Sequence, residues 1–363
     1  MALPKYIRED GIGDPQIPPP YSFKDVKIRS FRLLAARKQL KKLCGRFLNI
    51  GTFTDRGFTY SPILPFVDLE VLYYPKMNSE HPDFKDRGCD YQNECLFRIF
   101  VGKYNTESPG RGDSPQEVAV FVPFIFVDSS LSVISGREVI GYPKVWARFE
   151  LPERGEDYPL IISANVFRNR GPNEDPVLAP VVAIENWAAL PLSTPLSDLF
   201  TTALTGLEDA LDDFSGTYAD APSTIAGTYA GFFSRAEDEF RKVVKWPWAF
   251  IDEDPLLQSF RNVIKKPGLD RFPIIQLKQF LDAQRTDYAC YQALVSARFK
   301  VVPGSIRNLK PLPLAKITIP SSYPSLSIVQ HLGLVGETAS SIGQYELTCD
   351  MKCVDVRNLF VLP

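Results

Sequence analysis

Between residues 52 and 167 the apolar positions fall in short runs, at 65–74, 96–103, 118–127, 144–151 and 160–167, separated by clusters of Gly, Pro, Asn and Asp. Runs of this length bounded by turn formers predict strands, and strands at this density predict an antiparallel sheet system or barrel. The pattern resumes at 289–302, where Tyr291, Ala293, Val295, Ala297 and Phe299 alternate with more polar neighbours. Further strands are expected at 315–319, 325–334 and 344–356. Before this region, residues 21–50 are mixed: a strand-like stretch gives way to 35–43, whose composition and Leu40/Leu43 spacing predict a short amphipathic helix.

The period changes after Trp187. Thr194-Pro195 supplies an N-cap and a first helical position, and Leu196, Leu199, Phe200, Leu204, Leu207, Leu211 and Phe214 recur at helical spacing up to Gly216. Two more helices are expected at 225–245, before Trp246-Pro247-Trp248, and at 255–265, before Pro267-Gly268. Three parts follow: an extended Pro- and Gly-rich arm (1–20), a barrel domain (21–185 and 271–363) and a helical insertion (186–270). No repeat of fixed period runs through them.

Composition narrows the function classes. The 363 residues are 45% hydrophobic, with 41 basic and 43 acidic side chains and a formal net charge of -2, leaving no cationic surplus to neutralise a phosphate backbone; nucleic acid is not an expected partner. The run 118–127 is half the length of a membrane span and contains Pro123, so no membrane association is expected. The first twenty-one residues carry Lys5, Arg8, Glu9 and Asp10 with no apolar core of a signal peptide, so a cytoplasmic location is expected. Six cysteines without a C-x-x-C pair are expected to be free and mostly buried. Only His81 and His331 are present, which disfavours a histidine metal site and any catalytic triad built on histidine; no cofactor is expected. Arg111-Gly112-Asp113 reads as a chance tripeptide in a loop. Lysine, carboxylate and tyrosine remain as carriers of chemistry.

One stretch concentrates them. Ser135-Gly136-Arg137-Glu138-Val139-Ile140-Gly141-Tyr142-Pro143-Lys144 sets a lysine directly after Tyr-Pro, at the head of an apolar strand. Here the chain resembles the acetoacetate decarboxylase family, whose Schiff-base lysine follows a G-R-E-x-x-[AG]-[YF]-P-K pattern; every fixed position is met. Tyr21-Ser22-Phe23, Leu40-Lys41-Lys42-Leu43 and Leu48-Asn49-Ile50 look like the family's first strand and helix, residues 128–133 like its lead-in to the motif, and 290–299 like a later core strand. The resemblance covers most of 21–185 and roughly 270–334. It implies an α+β, mainly β fold: an antiparallel barrel with flanking helices, here carrying an inserted helical segment.

An amine attacks a ketone only when neutral, and a free lysine with a pKa of ~10.4 is neutral in roughly one molecule per few thousand at pH 7. Burial or a neighbouring cation lowers that pKa, acetoacetate decarboxylase itself being the usual illustration. The protonated imine then accepts the electron pair released when a bond to the α-carbon breaks. Carbon dioxide loss, retro-aldol cleavage and α-proton abstraction all draw on it.

The resemblance implies a pair of glutamates, for which the chain offers Glu70 and Glu94, with Gln92 competing for the second place. Tyr142 and Trp146 flank the lysine, Trp146 sharing its face if the strand alternates, and are expected to bind substrate. The sequence departs from the family at Val145, where many members carry a second lysine, and at Val26, where an arginine is expected; Arg98, one strand later, is the candidate replacement cation. For Gly136, Arg137 and Glu138 a tight turn and a structural ion pair are sufficient roles.

The expected function is a cofactor-free, homo-oligomeric carbon–carbon lyase acting on a small keto acid or ketone. Lys144 forms the imine, Glu94 and Glu70 manage protons, and Tyr142, Trp146, Arg98 and Gln92 contact substrate. Decarboxylation leads; aldol or dehydration chemistry on the same imine, and a barrel that binds a metabolite without turning it over, are the alternatives.

Overall fold

A computed structural model describes residues 17–109, 115–153, 155–186, 272–302, 304–313, 315–334, 336–341 and 344–362. The Arg111-Gly112-Asp113 tripeptide, most of the N-terminal arm and the expected helices of 187–270 lie outside these residues. The described elements run β1 (Tyr21–Leu34), α1 (Arg37–Phe47), α2 (Phe53–Arg56), β2 (Thr59–Pro62), β3 (Phe66–Ser79), β4 (Asp90–Tyr104), β5 (Glu117–Val127), α3 (Ser130–Ser135), a π-helical turn (Gly136–Ile140) and β6 (Lys144–Glu150). There follow β7 (Leu160–Val166), β8 (Val177–Asn186), β9 (Pro273–Leu281), β10 (Ala289–Val301), β11 (Arg307–Pro311), β12 (Ala315–Thr318), α4 (Ile328–Leu332), β13 (Thr338–Ser340) and β14 (Gln344–Val361). No helix among the described residues is long and apolar enough to cross a membrane.

The strands hydrogen-bond in a ring, β5-β9-β10-β14-β1-β3-β4 and back to β5. All neighbours in it are antiparallel except β5 and β9, which run parallel and pair at only Val120↔Ile274 and Phe121↔Ile275. The far end of β5 pairs in parallel with β6 through Ile125↔Lys144, Phe126↔Val145 and Val127↔Trp146. From there β6 leaves the ring to start an antiparallel extension, β6-β7-β8-β12-β13. The mainly β class expected from the strand runs is therefore what the chain forms, as a large mixed sheet.

The ring strands β3, β4 and β5 bury most of both faces, which is why their sequences read as near-continuous apolar runs. On β4, Cys95, Phe97, Ile99 and Val101 enter one apolar cluster with Leu69 and Val71 of β3 and with Leu40, Leu43 and Cys44 of α1. The alternate positions of β3, Leu72, Tyr74 and Met77, face a second cluster with Tyr21, Phe23, Leu96, Val122 and Tyr142. Four of the six cysteines are buried and all are free; Cys89 and Cys290 are exposed.

Residues 325–334 correct the expected strand there to the short helix α4. Ile328, Val329 and Leu332 bury one helical face, and Gly333, at φ 63°, takes the left-handed C-cap that ends it. The strand β9, which the run pattern does not pick out, joins the ring between β5 and β10.

Candidate active site

Lys144 opens β6, and the turn before it is shaped around its side chain. Gly141 adopts φ 86°, where a Cβ would strike the backbone of Lys278 at 2.8 Å, so the chain reverses here only with glycine. Gly136 serves differently from the tight turn expected of it: its backbone is helical, and a Cβ would lie 2.6 and 2.7 Å from Cδ and Cε of Lys144. The lysine stem thus runs against the bare backbone of Gly136. Arg137 donates from Nη1 to the Lys144 carbonyl at 3.1 Å, so this guanidinium braces the main chain of the lysine.

The amine is buried, Lys144 being 6% exposed. It donates to Glu94 Oε2 at 2.9 Å and to Ser132 Oγ at 2.7 Å, and lies 5.6 Å from the centre of the Tyr142 ring. The Tyr74 hydroxyl donates to the other oxygen of Glu94 at 3.2 Å, and Gln92 Nε2 approaches Oε2 at 3.4 Å. A carboxylate only accepts, so the amide of Gln92 must turn its NH2 towards Glu94. Its Oε1 is then left buried with no partner among the described residues, available to a donor on a bound molecule. Burial, seconded by Glu94, holds the hydroxyls of Tyr74 and Tyr142 well above the usual tyrosine range; both stay neutral donors.

Ser132 is set by its own helix end. Ser129 caps α3, its Oγ accepting from the Ser132 N–H at 3.2 Å and donating to Asp90 Oδ2 at 2.6 Å. Next to it, Asp128 accepts from the backbone N–H and Nδ2 of Asn93, both at 2.7 Å. These contacts tie α3 to β4, the strand that carries Glu94, so Ser132 and Glu94 reach the amine from one framework.

A second polar cluster lies further along β3 and β4. Arg98 Nη2 sits 2.7 Å from Glu70 Oε1 and 3.7 Å from Asp68 Oδ2, and Arg32 forks onto both oxygens of Asp68 at 2.7 and 2.9 Å. Burial opposes ionisation of Asp68, but Arg32 and Arg98 outweigh it and keep its carboxyl below the usual range. At Glu70 burial wins over Arg98 and raises the pKa to about 7.

The first cluster, and Glu70 and Arg98 of the second, line one cavity of about 380 Å³, together with Tyr21, Phe23, Leu72, Met77, Leu96, Phe272, Phe299 and Met351. Of the residues expected at the site, Lys144, Glu94, Glu70, Tyr142, Arg98 and Gln92 all reach this cavity. Trp146 does not. It is 46% exposed and donates from Nε1 to the Asp128 carbonyl at 3.2 Å. The expected alternation fails because β6 passes from the ring to the outer extension between Trp146 and Ala147. Val26 is fully buried in the inner apolar cluster, while Arg29 is held by Glu346 at 2.6 Å outside the cavity lining. Among the described residues, Arg98 is the guanidinium that lines it.

Sequence reasoning missed Ser132, Tyr74, Ser135 and Tyr345, all of which line the cavity. For Tyr74 a signal existed: on strands buried on both faces, the inward alternate positions of β3 and β4 carry Glu70, Tyr74, Gln92, Glu94 and Arg98, polar groups where apolar ones are the rule. Nothing local marked Ser132.

No family model matches the chain, and no curated protein matches it. Among solved structures, it is similar to an acetoacetate decarboxylase from Legionella pneumophila, with a TM-score of 0.48, 11% identity, and coverage of 99% of this chain and 93% of that one. Another is the enduracididine biosynthesis enzyme MppR complexed with pyruvate, at a TM-score of 0.44 and 11% identity, covering 97% and 93%. A third similar structure, at a TM-score of 0.46, 10% identity and full coverage of both chains, is an acetoacetate decarboxylase-like enzyme from Sphingomonas wittichii RW1.

Proposed function

We propose that the protein is a carbon–carbon lyase that forms a Schiff base through Lys144 and decarboxylates a small keto acid. The observation that carries this reading is the buried Lys144 amine on the wall of a largely apolar cavity, 2.9 Å from a carboxylate and 2.7 Å from a hydroxyl.

The amine attacks the ketone carbon, and Glu94, within hydrogen-bond reach, takes the proton it sheds. Water leaves from the carbinolamine to give the iminium. When the substrate is a 3-keto acid, its carboxylate sits on the α-carbon, and the electrons of the breaking carbon–carbon bond flow into the iminium to give a neutral enamine and carbon dioxide. A 2-keto acid lacks that alignment. The apolar lining favours this step, since a charged carboxylate is lost and two uncharged products form. Protonation of the enamine carbon and hydrolysis return the amine, with Glu94 and the Tyr74 hydroxyl on hand as the proton source. Arg98, paired with Glu70, faces the substrate side as the cavity's guanidinium.

A second reading keeps the imine and lets the enamine attack an aldehyde. The unpartnered acceptor of Gln92 favours it, because an aldol product carries a new hydroxyl to donate. The test is borohydride reduction with acetoacetate or with pyruvate, followed by peptide mass analysis and product assay. An isopropyl group on Lys144 from acetoacetate, with carbon dioxide release, is the expected result; no mass on Lys144 with either acid sinks both readings.

A further inference from the structure

Along β3 and β14 the cavity wall changes from polar to apolar, while beyond Arg98 on β4 it is closed by Phe100, Val120, Phe272 and Ile274. On β3 the polar end is marked by Glu70 and the apolar end by Met77; on β14 the same ends are marked by Tyr345 and Met351. The apolar end is a row of residues directly opposite one another on four adjacent strands. Phe23 of β1 pairs with Met77 of β3 and with Met351 of β14, and Met351 pairs with Val301 of β10. All four line the cavity. The sequence contains three methionines, and two of them flank Phe23 here. Methionine is flexible and polarisable, the side chain suited to an apolar guest of variable shape.

Size points the same way. Cavities of ~300–1,000 Å³ are those that bury drug-sized ligands, and this one, at about 380 Å³, exceeds what acetoacetate fills. The reacting amine lies towards the polar side of the row, because Tyr74, which bonds the same Glu94 as Lys144, precedes Met77 on β3. β3 bulges between them, its three residues spanning the two of β4 from Gln92 to Asp90, a rise of about 7 Å, the reach of an alkyl chain of about five carbons.

We infer that the substrate is a 3-keto acid bearing an alkyl or comparable apolar tail, held between Met77, Phe23, Met351 and Val301, rather than acetoacetate. The inference rests on the reading of Lys144 as an imine-forming residue. The carboxylate lies towards Arg98 and the tail towards the methionine row, so the two ends of the cavity set the direction in which the ketone meets the amine.

The test is kcat/KM for decarboxylation of straight-chain 3-keto acids from acetoacetate to 3-oxododecanoate. A rise of about fourfold per methylene is expected until the tail fills the row. Met351→Trp, which blocks the row, flattens the series. A series that is flat or falls with length, with acetoacetate turned over, overturns the tail site and leaves the imine standing. Calorimetric titration of Lys144→Ala protein with methyl ketones of increasing length separates the other failure. Affinity that climbs with length, in a protein whose wild type traps no keto acid, supports the tail site and removes the Schiff-base reading. No gain in affinity with length in that titration overturns the tail site.

Discussion

Among the described residues, two cation–carboxylate pairs are buried on both sides, Lys144 with Glu94 at 2.9 Å and Arg29 with Glu346 at 2.6 Å, all four residues being 7% exposed or less. Arg29 also faces the Asp157 carboxylate at 3.7 Å and donates to the Glu156 and Asp157 carbonyls, so its fork is spent on protein. Lys144 has three donors and, among the described residues, uses two, on Glu94 and Ser132, and of these two pairs it is the one that lines the cavity. Burial and pairing are common to both. What separates a structural pair from a reactive one is a neighbouring space for a substrate and a cation with capacity left over.

Four substitutions probe that contrast. Lys144→Ala is expected to abolish borohydride-trapped adduct and turnover altogether, whereas Arg29→Met, in protein that remains folded, leaves trapping on Lys144 intact; parallel mass analysis of the two variants decides it. Arg29→Met acts on stability instead. It strands the Glu346 carboxylate, which keeps only the more distant Lys27 and Lys310 at 3.8 and 3.7 Å. A loss near the lower end of the ~3–5 kcal/mol typical of a broken buried pair is expected in urea denaturation.

Glu70 gives a pH signature of similar or smaller size. Its folded pKa is raised from 4.5 to about 7, mainly by burial. The native state therefore holds this proton more tightly than the unfolded chain does. Its contribution is fully present below pH 4.5 and is lost as pH rises to about 7. Glu70→Gln removes that slope, worth on the order of 3 kcal/mol across the window; an unchanged slope in denaturation curves taken across it contradicts the assignment. The smallest stability effect is expected from Gly136→Ala. The new methyl displaces the flexible end of Lys144, at a cost of about 1 kcal/mol, yet it moves the amine away from Glu94 and Ser132. A drop in kcat well beyond the change in urea midpoint checks this.

The strand runs at 65–74, 118–127 and 160–167 were legible because strands with two buried faces concentrate apolar residues. The segment 325–334 was misread because a ten-residue apolar patch carries too few periods to separate 2.0 from 3.6. The lysine and Tyr142 were legible from the motif, Glu70 and Glu94 from the family resemblance with Gln92 as competitor, and Arg98 only as a candidate cation where the chain departs from that resemblance at Val26. Trp146 was misplaced because the departure of β6 from the ring is decided by which strand pairs with it, not by β6 itself.

By itself, then, the sequence determined a strand-rich chain, a lysine poised at a strand head, and the carboxylates able to serve it. The strands and the place of the lysine are local properties, written in the alternation and composition of neighbouring residues; the carboxylates were implied by the family resemblance. Only the tertiary structure decided that Ser132 meets the amine, that Arg98 and not Arg29 lines the cavity, and that Met77, Phe23, Met351 and Val301 form one row. Those contacts join residues tens to hundreds of positions apart, and their register is fixed by ring closure, which no single stretch of the chain encodes.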